Sequence, residues 1–191
     1  MSFSIQRQAS FRYRATLEEI DYSINRGLDR NLIMRLSEMT FVTEPRDLFI
    51  TGSAGTGKSF IATALGFRAC QKGMRVLYAS TARLMGHLKA AKAKGTILSE
   101  LKRIERTDLL ILDDFGIHPF DAPARSNLMD IIEDRHGRRA TIITSQVPVC
   151  DWHDIIGEKT IADAILDRIV HRAIRIELCG ESIRKLQNKI N

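Results

Sequence analysis

Residues 52–59 are Gly52-Ser53-Ala54-Gly55-Thr56-Gly57-Lys58-Ser59, which fits the pattern G-x-x-x-x-G-K-[ST]. They follow an apolar run, residues 47–51, so a strand, a glycine turn and a helix start occur in the order of a phosphate-binding loop. Glycines let backbone N–H groups close around a polyphosphate, and the helix directs its positive dipole end there. We therefore predict a nucleoside triphosphate with Mg²⁺: Lys58 reaches the β/γ-phosphates and the Ser59 hydroxyl completes the metal shell. The predicted nucleotide-binding residues are Gly52, Ser53, Ala54, Gly55, Thr56, Gly57, Lys58, Ser59 and Phe60.

A second motif is the apolar run 108–112, which is followed by Asp113 and Asp114. An apolar run without alternation predicts a buried parallel strand. A carboxylate at the end of such a strand, beside the phosphate loop, holds Mg²⁺ opposite Ser59, and we assign this role to Asp113. Asp114 is predicted to orient or deprotonate the attacking water. The structural alternative is an ordinary turn at the strand end, where Asp is common.

A third polar group, Thr144-Ser145-Gln146, ends the next predicted strand. A polar side chain at this position can lie beside the γ-phosphate and hydrogen-bond the attacking water. Gln146 is the candidate for this role, and Ser145 is the alternative. Polar residues at a strand end can also serve solvation alone.

Predicted strands alternate with predicted helices along the chain, which indicates an α/β fold with a parallel sheet, helices on both faces and right-handed crossovers. Three helix starts have capping signals: the capping box Thr16 to Glu19, Thr81, and Asp121 with Pro123. A last helix is predicted from Glu181. The predicted strands are 47–51, 75–79, 108–112, 140–144 and 174–178.

The length and composition of the chain predict one globular domain with a hydrophobic core. The 191 residues are 44% hydrophobic and 27% charged, and the sequence contains no membrane span, so we expect no membrane partner. The net charge of +6 fits a polyanionic partner, but also an ordinary ATP-binding protein. Cys70, Cys150 and Cys179 fit no metal pattern and are expected to be reduced core residues of a cytoplasmic protein.

The excess positive charge is concentrated between Arg83 and Arg106. This segment has seven Lys or Arg residues against Glu100 and Glu105, a net charge of +5. It is the best candidate for DNA contact, because lysines near a glycine-ended helix can hold phosphates without reading bases. The alternative is a solvated helix face. The candidate contact residues are Lys89, Lys92 and Lys94.

Two sets of segments resemble known families. The first is similar to the AAA+ ATPases of the helicase-loader branch: Gly52–Ser59, Leu109–Gly116 and Ile142–Pro148. The second is more specific and resembles IstB, the ATP-binding helper family of insertion-sequence transposases: Trp152–Gly157, Ala162–His171 and Arg175–Lys185. The resemblance extends from Ala15 to Lys185.

The resemblance implies a P-loop NTPase of the AAA+/ASCE type, with a five-stranded sheet in the order 5-1-4-3-2 and a small C-terminal helical lid. It also implies ATP hydrolysis with Mg²⁺, and a homo-oligomeric ring or spiral on double-stranded DNA. That assembly would capture target DNA and stimulate the transposase encoded by the same element. The domains implied are residues 1–15, a basic arm or the remnant of a longer N-terminal domain, and residues 16–191, the AAA+ domain. Family members are expected to carry a further helical region before the segment with which this chain begins.

The resemblance also assigns roles to single arginines. Arg168 matches the arginine finger, whose guanidinium enters the neighbouring subunit's ATP site, with Arg172 as its rival. Arg184 matches the sensor-2 arginine of the lid. The structural alternatives are an ion pair on a helix face for Arg168 and an ordinary surface position for Arg184. Two other functions stay open: a helicase-loader type ATPase of replication initiation or restart, and a nucleotide-gated DNA-binding scaffold with little turnover.

Overall fold

The computed structural model describes residues 11–183, and these form one five-stranded parallel sheet in the order β2-β3-β4-β1-β5. The predicted order 5-1-4-3-2 is therefore confirmed. β1 lies between β4 and β5, with Leu48 in register with Ile142 on one side and Ile174 on the other. The strands are β1 Leu48–Gly52, β2 Val76–Ser80, β3 Leu109–Phe115, β4 Ala140–Ser145 and β5 Ile174–Leu178.

Helices cover both faces of the sheet, as predicted for a parallel sheet. Successive strand residues point to opposite faces, so Leu48 and Ile50 of β1 pack on one helical layer and Phe49 packs on the other. The first three helices form the first layer, and the remaining five form the second. The helices are α1 Arg30–Ser37, α2 Thr40–Thr43, α3 Lys58–Gln71, α4 Thr81–Ala93, α5 Ile97–Glu105, α6 Ala122–Arg135, α7 Trp152–Ile156 and α8 Lys159–Val170.

Trp152 anchors the second layer. Its ring is fully buried, with ring centroids 4.8 Å from Phe49 and 4.7 Å from Phe115, and its indole N–H donates to the Val147 carbonyl at 3.0 Å. A buried aromatic ring with its polar atom satisfied contributes both apolar area and a fixed orientation. Trp152 thereby ties α7 to the central strands β1 and β3.

Several local predictions need correction. β3 extends to Phe115, so Asp113 and Asp114 belong to the strand and not to a turn after it. Thr81 is not an N-cap: the helix begins at Thr81 itself, and its hydroxyl donates to the Asp113 carbonyl at 2.9 Å. The capping box at Thr16 and Glu19 is confirmed, although it starts only a single 3₁₀ turn, and so is the Asp121 cap of α6.

The cysteines only partly follow the expectation that all three are core residues. Cys70 is buried, whereas Cys150 and Cys179 are exposed free thiols. Most of the predicted last helix, and Arg184 with it, lies outside the described residues, as do residues 1–10. No helix within residues 11–183 is long and apolar enough to cross a membrane.

A cluster of buried and half-buried polar side chains lies at the amino ends of the strands, away from the phosphate loop. Arg135 of α6 is 2% exposed and donates to the carbonyls of Ile104 and Thr107 at 2.9 and 3.0 Å. The Asp47 carboxylate accepts the Thr141 N–H at 2.9 Å. Burial raises the pKa of Asp47 to about 6, although the Thr141 hydrogen bond and the charge of Arg135 oppose this rise.

Replacement of Asp47 by Asn is expected to change the pH dependence of stability. The folded-state pKa lies above the ordinary value of 3.8, so folding favours the protonated carboxyl. The stability from this group is therefore present at low pH and is lost as pH rises through about 6. We expect Asp47 to lower the free energy of unfolding by about 2 kcal/mol between about pH 4 and pH 7. An asparagine keeps the acceptor for the Thr141 N–H but does not titrate.

The measurement is urea unfolding at several pH values across that range for the wild type, Asp47→Asn and a control, Asp154→Asn, whose carboxylate is 96% exposed. The difference in free energy of unfolding between the Asp47→Asn variant and the wild type should grow with pH. The control should follow the wild type. Parallel curves for all three proteins would contradict the assignment.

Candidate nucleotide-binding site

The predicted phosphate loop connects β1 to the N-terminus of α3, and its glycines are required by its shape. Gly57 has φ +98°, and a Cβ built on it would lie 2.5 Å from Nη1 of Arg26. At Gly52, a Cβ would collide with the carbonyl of Leu178 on β5. Both the backbone conformation and the lack of space exclude larger residues. The loop therefore has the geometry that the motif predicted.

Lys58 lies at the first position of α3, and its side chain bends back over the loop. Its Nζ donates to the carbonyls of Gly52 and Ser53 at 2.8 and 2.7 Å. Burial lowers the pKa of Lys58, while the charges of Asp114 and Asp113 oppose that shift. The ammonium is thus held at the loop, where a polyphosphate would provide stronger partners than two carbonyl oxygens.

Asp113 is 1% exposed, and its carboxylate accepts hydrogen bonds from three hydroxyl groups. The Ser59 hydroxyl donates to Oδ1 at 2.7 Å, the Thr144 hydroxyl donates to the same oxygen, and the Tyr78 hydroxyl donates to Oδ2. Burial and the neighbouring carboxylate raise the pKa of Tyr78 far above its ordinary value, so the phenol keeps its proton. The carboxylate thereby joins β3 to α3, β4 and β2.

The pair Ser59 and Asp113 fits Mg²⁺ by its chemistry. A hydroxyl and a carboxylate are hard oxygen ligands, and in this structure their oxygens are already 2.7 Å apart. Residues 11–183 contain no group of three or more His, Cys, Asp or Glu side chains that could hold a metal ion. Mg²⁺ does not need such a group, because it keeps several waters and binds through one or two protein ligands plus substrate phosphates.

Asp114 has a left-handed backbone, φ +58°, at a point where the pairing of β3 with β4 shifts register. Its N–H donates to the Thr144 hydroxyl at 3.1 Å. In a regular strand Asp113 and Asp114 would point to opposite faces, but such an irregularity re-aims a side chain. Asp114 instead lines the cleft that also contains Lys58. Burial, and then the like charge of Asp113, raise its pKa, while Lys58 lowers it.

A cleft of about 630 Å³ brings the predicted residues together. Lys58, Ser59, Phe60, Asp114 and Gln146 all line it, together with parts of the loop. Ser145 does not: it is buried, and its hydroxyl donates to the Phe115 carbonyl at 2.7 Å. Of the two alternatives at the end of β4, only Gln146 is therefore placed to meet a ligand in this cleft.

The N-terminal segment supplies cleft residues that the sequence did not indicate. Arg26 is 5% exposed and donates from Nη1 to the Thr56 carbonyl and from Nη2 to the Asp21 carbonyl, both at 3.0 Å. The ring of Tyr13 stacks on Phe60 at 6.5 Å between centroids. No motif marks Arg26 and Tyr13, because the groups they meet at the loop lie some thirty or more residues away in sequence. The hydrogen bonds of Tyr78 and Thr144 to Asp113 were not predicted for the same reason.

The two candidate finger residues do not reach the cleft of their own chain. Arg168 of α8 forms an ion pair with Glu133 of α6 at 2.6 Å, and it also donates to the Ala164 carbonyl at 2.8 Å. Arg172 is exposed just beyond the end of the same helix. Neither lines the nucleotide cleft. A role for either at an ATP site therefore requires a second subunit.

The candidate DNA residues lie on the last turns of α4 and in the turn that follows. Lys89, Lys92 and Lys94 are exposed. The Lys89 ammonium pairs with Asp121 at 3.2 Å, whereas Lys92 and Lys94 form no ion pair with any residue of the range 11–183. None of the three lines the nucleotide cleft.

The fold and the loop together define a class. A parallel sheet in this strand order, with a phosphate loop after β1 and an acidic pair on β3, is that of the AAA+ P-loop proteins. The solved structure of DnaI superposes with a TM-score of 0.74 at 24% identity, over 87% of this chain and 92% of that one. AMPPCP-bound DnaA from Aquifex aeolicus gives 0.71 at 21% identity, over 95% and 56%.

Within this class the chain belongs to the IstB-like ATP binding protein family, whose model matches residues 3–191. It is 47% identical to y4pL of Sinorhizobium fredii, a protein named as an insertion sequence ATP-binding protein, over 96% of this chain and 75% of that one. It is 32% identical to the protein named as an ATP-binding protein of insertion sequence IS21 from Pseudomonas aeruginosa, over 93% and 67%.

Replacement of Gly57 by Ala is expected to damage the site, because it forces an L-residue into a left-handed backbone and pushes a methyl group onto Arg26. We expect a loss of about 2 kcal/mol in the free energy of unfolding and a roughly tenfold weaker binding of a fluorescent ATP analogue. The matched control is Gly86→Ala in α4, where nothing lies within 4 Å of the added Cβ. That variant should be slightly more stable, by about 0.5 kcal/mol, with unchanged nucleotide binding. Equal behaviour of the two variants would contradict the geometry of the loop.

Proposed function

We propose that this chain is a Mg²⁺-dependent ATPase of an insertion sequence, which oligomerises on double-stranded DNA with ATP and assists the transposase of the same element in target capture and strand transfer. One observation carries the proposal. Lys58, Ser59 and Asp114 line a single cleft, and Asp113 accepts the Ser59 hydroxyl, in a chain that belongs to the IstB-like ATP binding protein family.

ATP binding would use the loop as a cradle for the β- and γ-phosphates. The backbone N–H groups of residues 52–59 and the N-terminus of α3 favour negative charge, and the Lys58 ammonium would exchange its two loop carbonyls for phosphate oxygens. Ser59 and Asp113 would hold Mg²⁺. The bound ion would supply positive charge to offset the charge that develops on the phosphate.

Hydrolysis would use Asp114 and Gln146 on the attacking water. The raised pKa of Asp114 makes its carboxylate a stronger base than an ordinary aspartate, provided that it is ionised at the working pH. Lys58 opposes the rise and favours the ionised form. Gln146, exposed at the end of β4, would hydrogen-bond the water and hold it in line with the γ-phosphate.

Assembly would complete the site. We assign Arg168 as the finger that enters a neighbour's cleft, with Arg172 as the alternative, and Arg184 as the lid residue on the bound nucleotide. In a single chain Arg168 is held by Glu133. This ion pair must open before the guanidinium can meet the γ-phosphate of a neighbour. An isolated subunit has no neighbouring finger at its own site and is therefore expected to turn over slowly.

DNA contact is assigned to Lys89, Lys92 and Lys94. Exposed lysines on a helix end and in a glycine turn can hold backbone phosphates without sequence preference, and such binding weakens steeply with salt. The net charge of the chain, +6, favours the same partner.

Two other functions have specific support. The fold resembles the structure of the DnaC helicase loader, with a TM-score of 0.67 at 22% identity, which keeps a helicase-loader function as the second candidate. The partner that co-purifies, a transposase or a hexameric helicase, distinguishes the two. A nucleotide-gated scaffold with little turnover is supported by one observation, the Arg168–Glu133 ion pair.

Lys58→Ala is expected to abolish ATP-dependent assembly on duplex DNA, because the loop then lacks its charged phosphate contact. The measurement is light scattering or negative-stain microscopy of the protein with ATP and DNA. Lys72→Ala, just past the other end of α3, removes an ion pair with Glu38 and is the control. Assemblies of unchanged size and yield in Lys58→Ala would contradict the nucleotide switch.

Arg168→Ala is expected to lower DNA-stimulated ATP turnover by about 10³-fold, as the loss of an arginine finger does, without changing nucleotide affinity. Arg172→Ala is the matched comparison: the larger loss identifies the finger. Turnover in the presence and absence of DNA, together with binding of a fluorescent ATP analogue, separates chemistry from binding. If both variants turn over ATP as the wild type does, the shared-site model is wrong.

A further inference from the structure

Tyr78 makes a contact with the site that the proposed mechanism does not use. It lies on β2, in register with Ile111 of β3, and its hydroxyl donates to Oδ2 of Asp113. The other carboxylate oxygen, Oδ1, accepts the hydroxyls of Ser59 and Thr144. Each of the two oxygens of Asp113 therefore has its own donors, from different elements of the fold.

The Tyr78 hydroxyl has no substitute at Oδ2. Among residues 11–183 it is the one hydrogen-bond donor to this oxygen, and the two residues are 7% and 1% exposed. A buried carboxylate oxygen that loses its donor is strongly disfavoured, so the carboxylate would rotate or shift towards other donors.

The ring of Tyr78 is held independently of its hydroxyl. It belongs to the core of the first helical layer and contacts the ring of Phe11, with a centroid distance of 6.1 Å. Replacement by Phe keeps the ring and removes only the O–H. The contribution of the hydroxyl can therefore be measured separately from that of the packing.

We propose that Tyr78 is a positioning residue of the Mg²⁺ site: by holding Oδ2, its hydroxyl orients the Asp113 carboxylate so that Oδ1 stays turned to the Ser59 hydroxyl. The inference rests on the proposed function, in which Ser59 and Asp113 hold the metal. Tyr78 does not line the nucleotide cleft. Removal of a residue that hydrogen-bonds a metal ligand, without binding the metal itself, typically lowers metal affinity or activity by roughly 10- to 100-fold.

The test is the affinity for Mg²⁺ in Tyr78→Phe, with the full chain and a fluorescent ATP analogue. The protein is first treated with EDTA and then titrated with Mg²⁺, while the fluorescence of the analogue is recorded. ATP turnover is measured over the same range of Mg²⁺ concentrations. We expect the Mg²⁺ concentration at half-saturation to rise about tenfold. We also expect analogue affinity in EDTA to stay unchanged, and excess Mg²⁺ to restore turnover.

The control is Tyr22→Phe, a half-buried tyrosine whose ring contacts Arg30 in the N-terminal segment. It should show the wild-type Mg²⁺ dependence. Unfolding midpoints of all three proteins in EDTA report any effect on the fold.

The outcomes separate the inference from the proposed function. An unchanged Mg²⁺ half-saturation in Tyr78→Phe, in a protein whose wild type responds to Mg²⁺, overturns the role of Tyr78 alone. Loss of analogue binding in EDTA also overturns it, because the hydroxyl would then serve the fold and not the metal. A wild type that binds and hydrolyses ATP without Mg²⁺ dependence overturns the metal assignment itself, and the Tyr78 proposal with it.

Discussion

The buried carboxylate of Asp113 is the point at which the sheet and the phosphate loop are joined. A carboxylate excluded from water must be matched by hydrogen-bond donors, and here the donors are hydroxyls of Ser59, Tyr78 and Thr144. This requirement explains the neighbours of β3: β2 on one side and β4 on the other each supply one donor to Asp113. The strand order is therefore a condition of the site and not only a packing arrangement.

Two positive groups of the cleft, Lys58 and Arg26, are paired with neutral partners. Lys58 donates to two loop carbonyls, and Arg26 donates to the carbonyls of Thr56 and Asp21. Hydrogen bonds from a cation to neutral oxygens are weaker than those to phosphate, so both side chains would bind an anionic ligand more strongly than their present partners. Arg26 also accepts the Cys179 N–H through its own carbonyl, and thus links the N-terminal segment, the loop and the chain after β5.

Arg168 differs from the cleft cations, because its partner is charged. Glu133 lies on the neighbouring helix of the same chain, and the Arg168 side chain is only 27% exposed. In the single chain the ion pair gives the Arg168 guanidinium a charged partner, and it keeps this guanidinium away from the nucleotide cleft. A site that is complete only between subunits would connect chemistry to assembly, which is the behaviour that the proposed function requires.

Local signals were sufficient for every feature whose cause lies within a few residues. The phosphate loop, the strand formed by the apolar run before Asp113 and the Asp121 cap each depend on neighbouring residues. All three are found, although β3 ends at Phe115 and not at residue 112. The strand order came from family resemblance, because pairing in a parallel sheet joins segments that are distant in sequence.

Thr81 shows the limit of local patterns. Its hydroxyl could cap its own helix or bond the Asp113 carbonyl, and the packing of β2 beside β3 selected the second. The exposure of Gln146 in the cleft and the burial of Ser145, the left-handed backbone at Asp114, and the contacts of Tyr78 and Arg26 were likewise decided by tertiary structure. Each depends on a partner some thirty residues or more away in sequence, and a local sequence pattern cannot predict a contact over that separation.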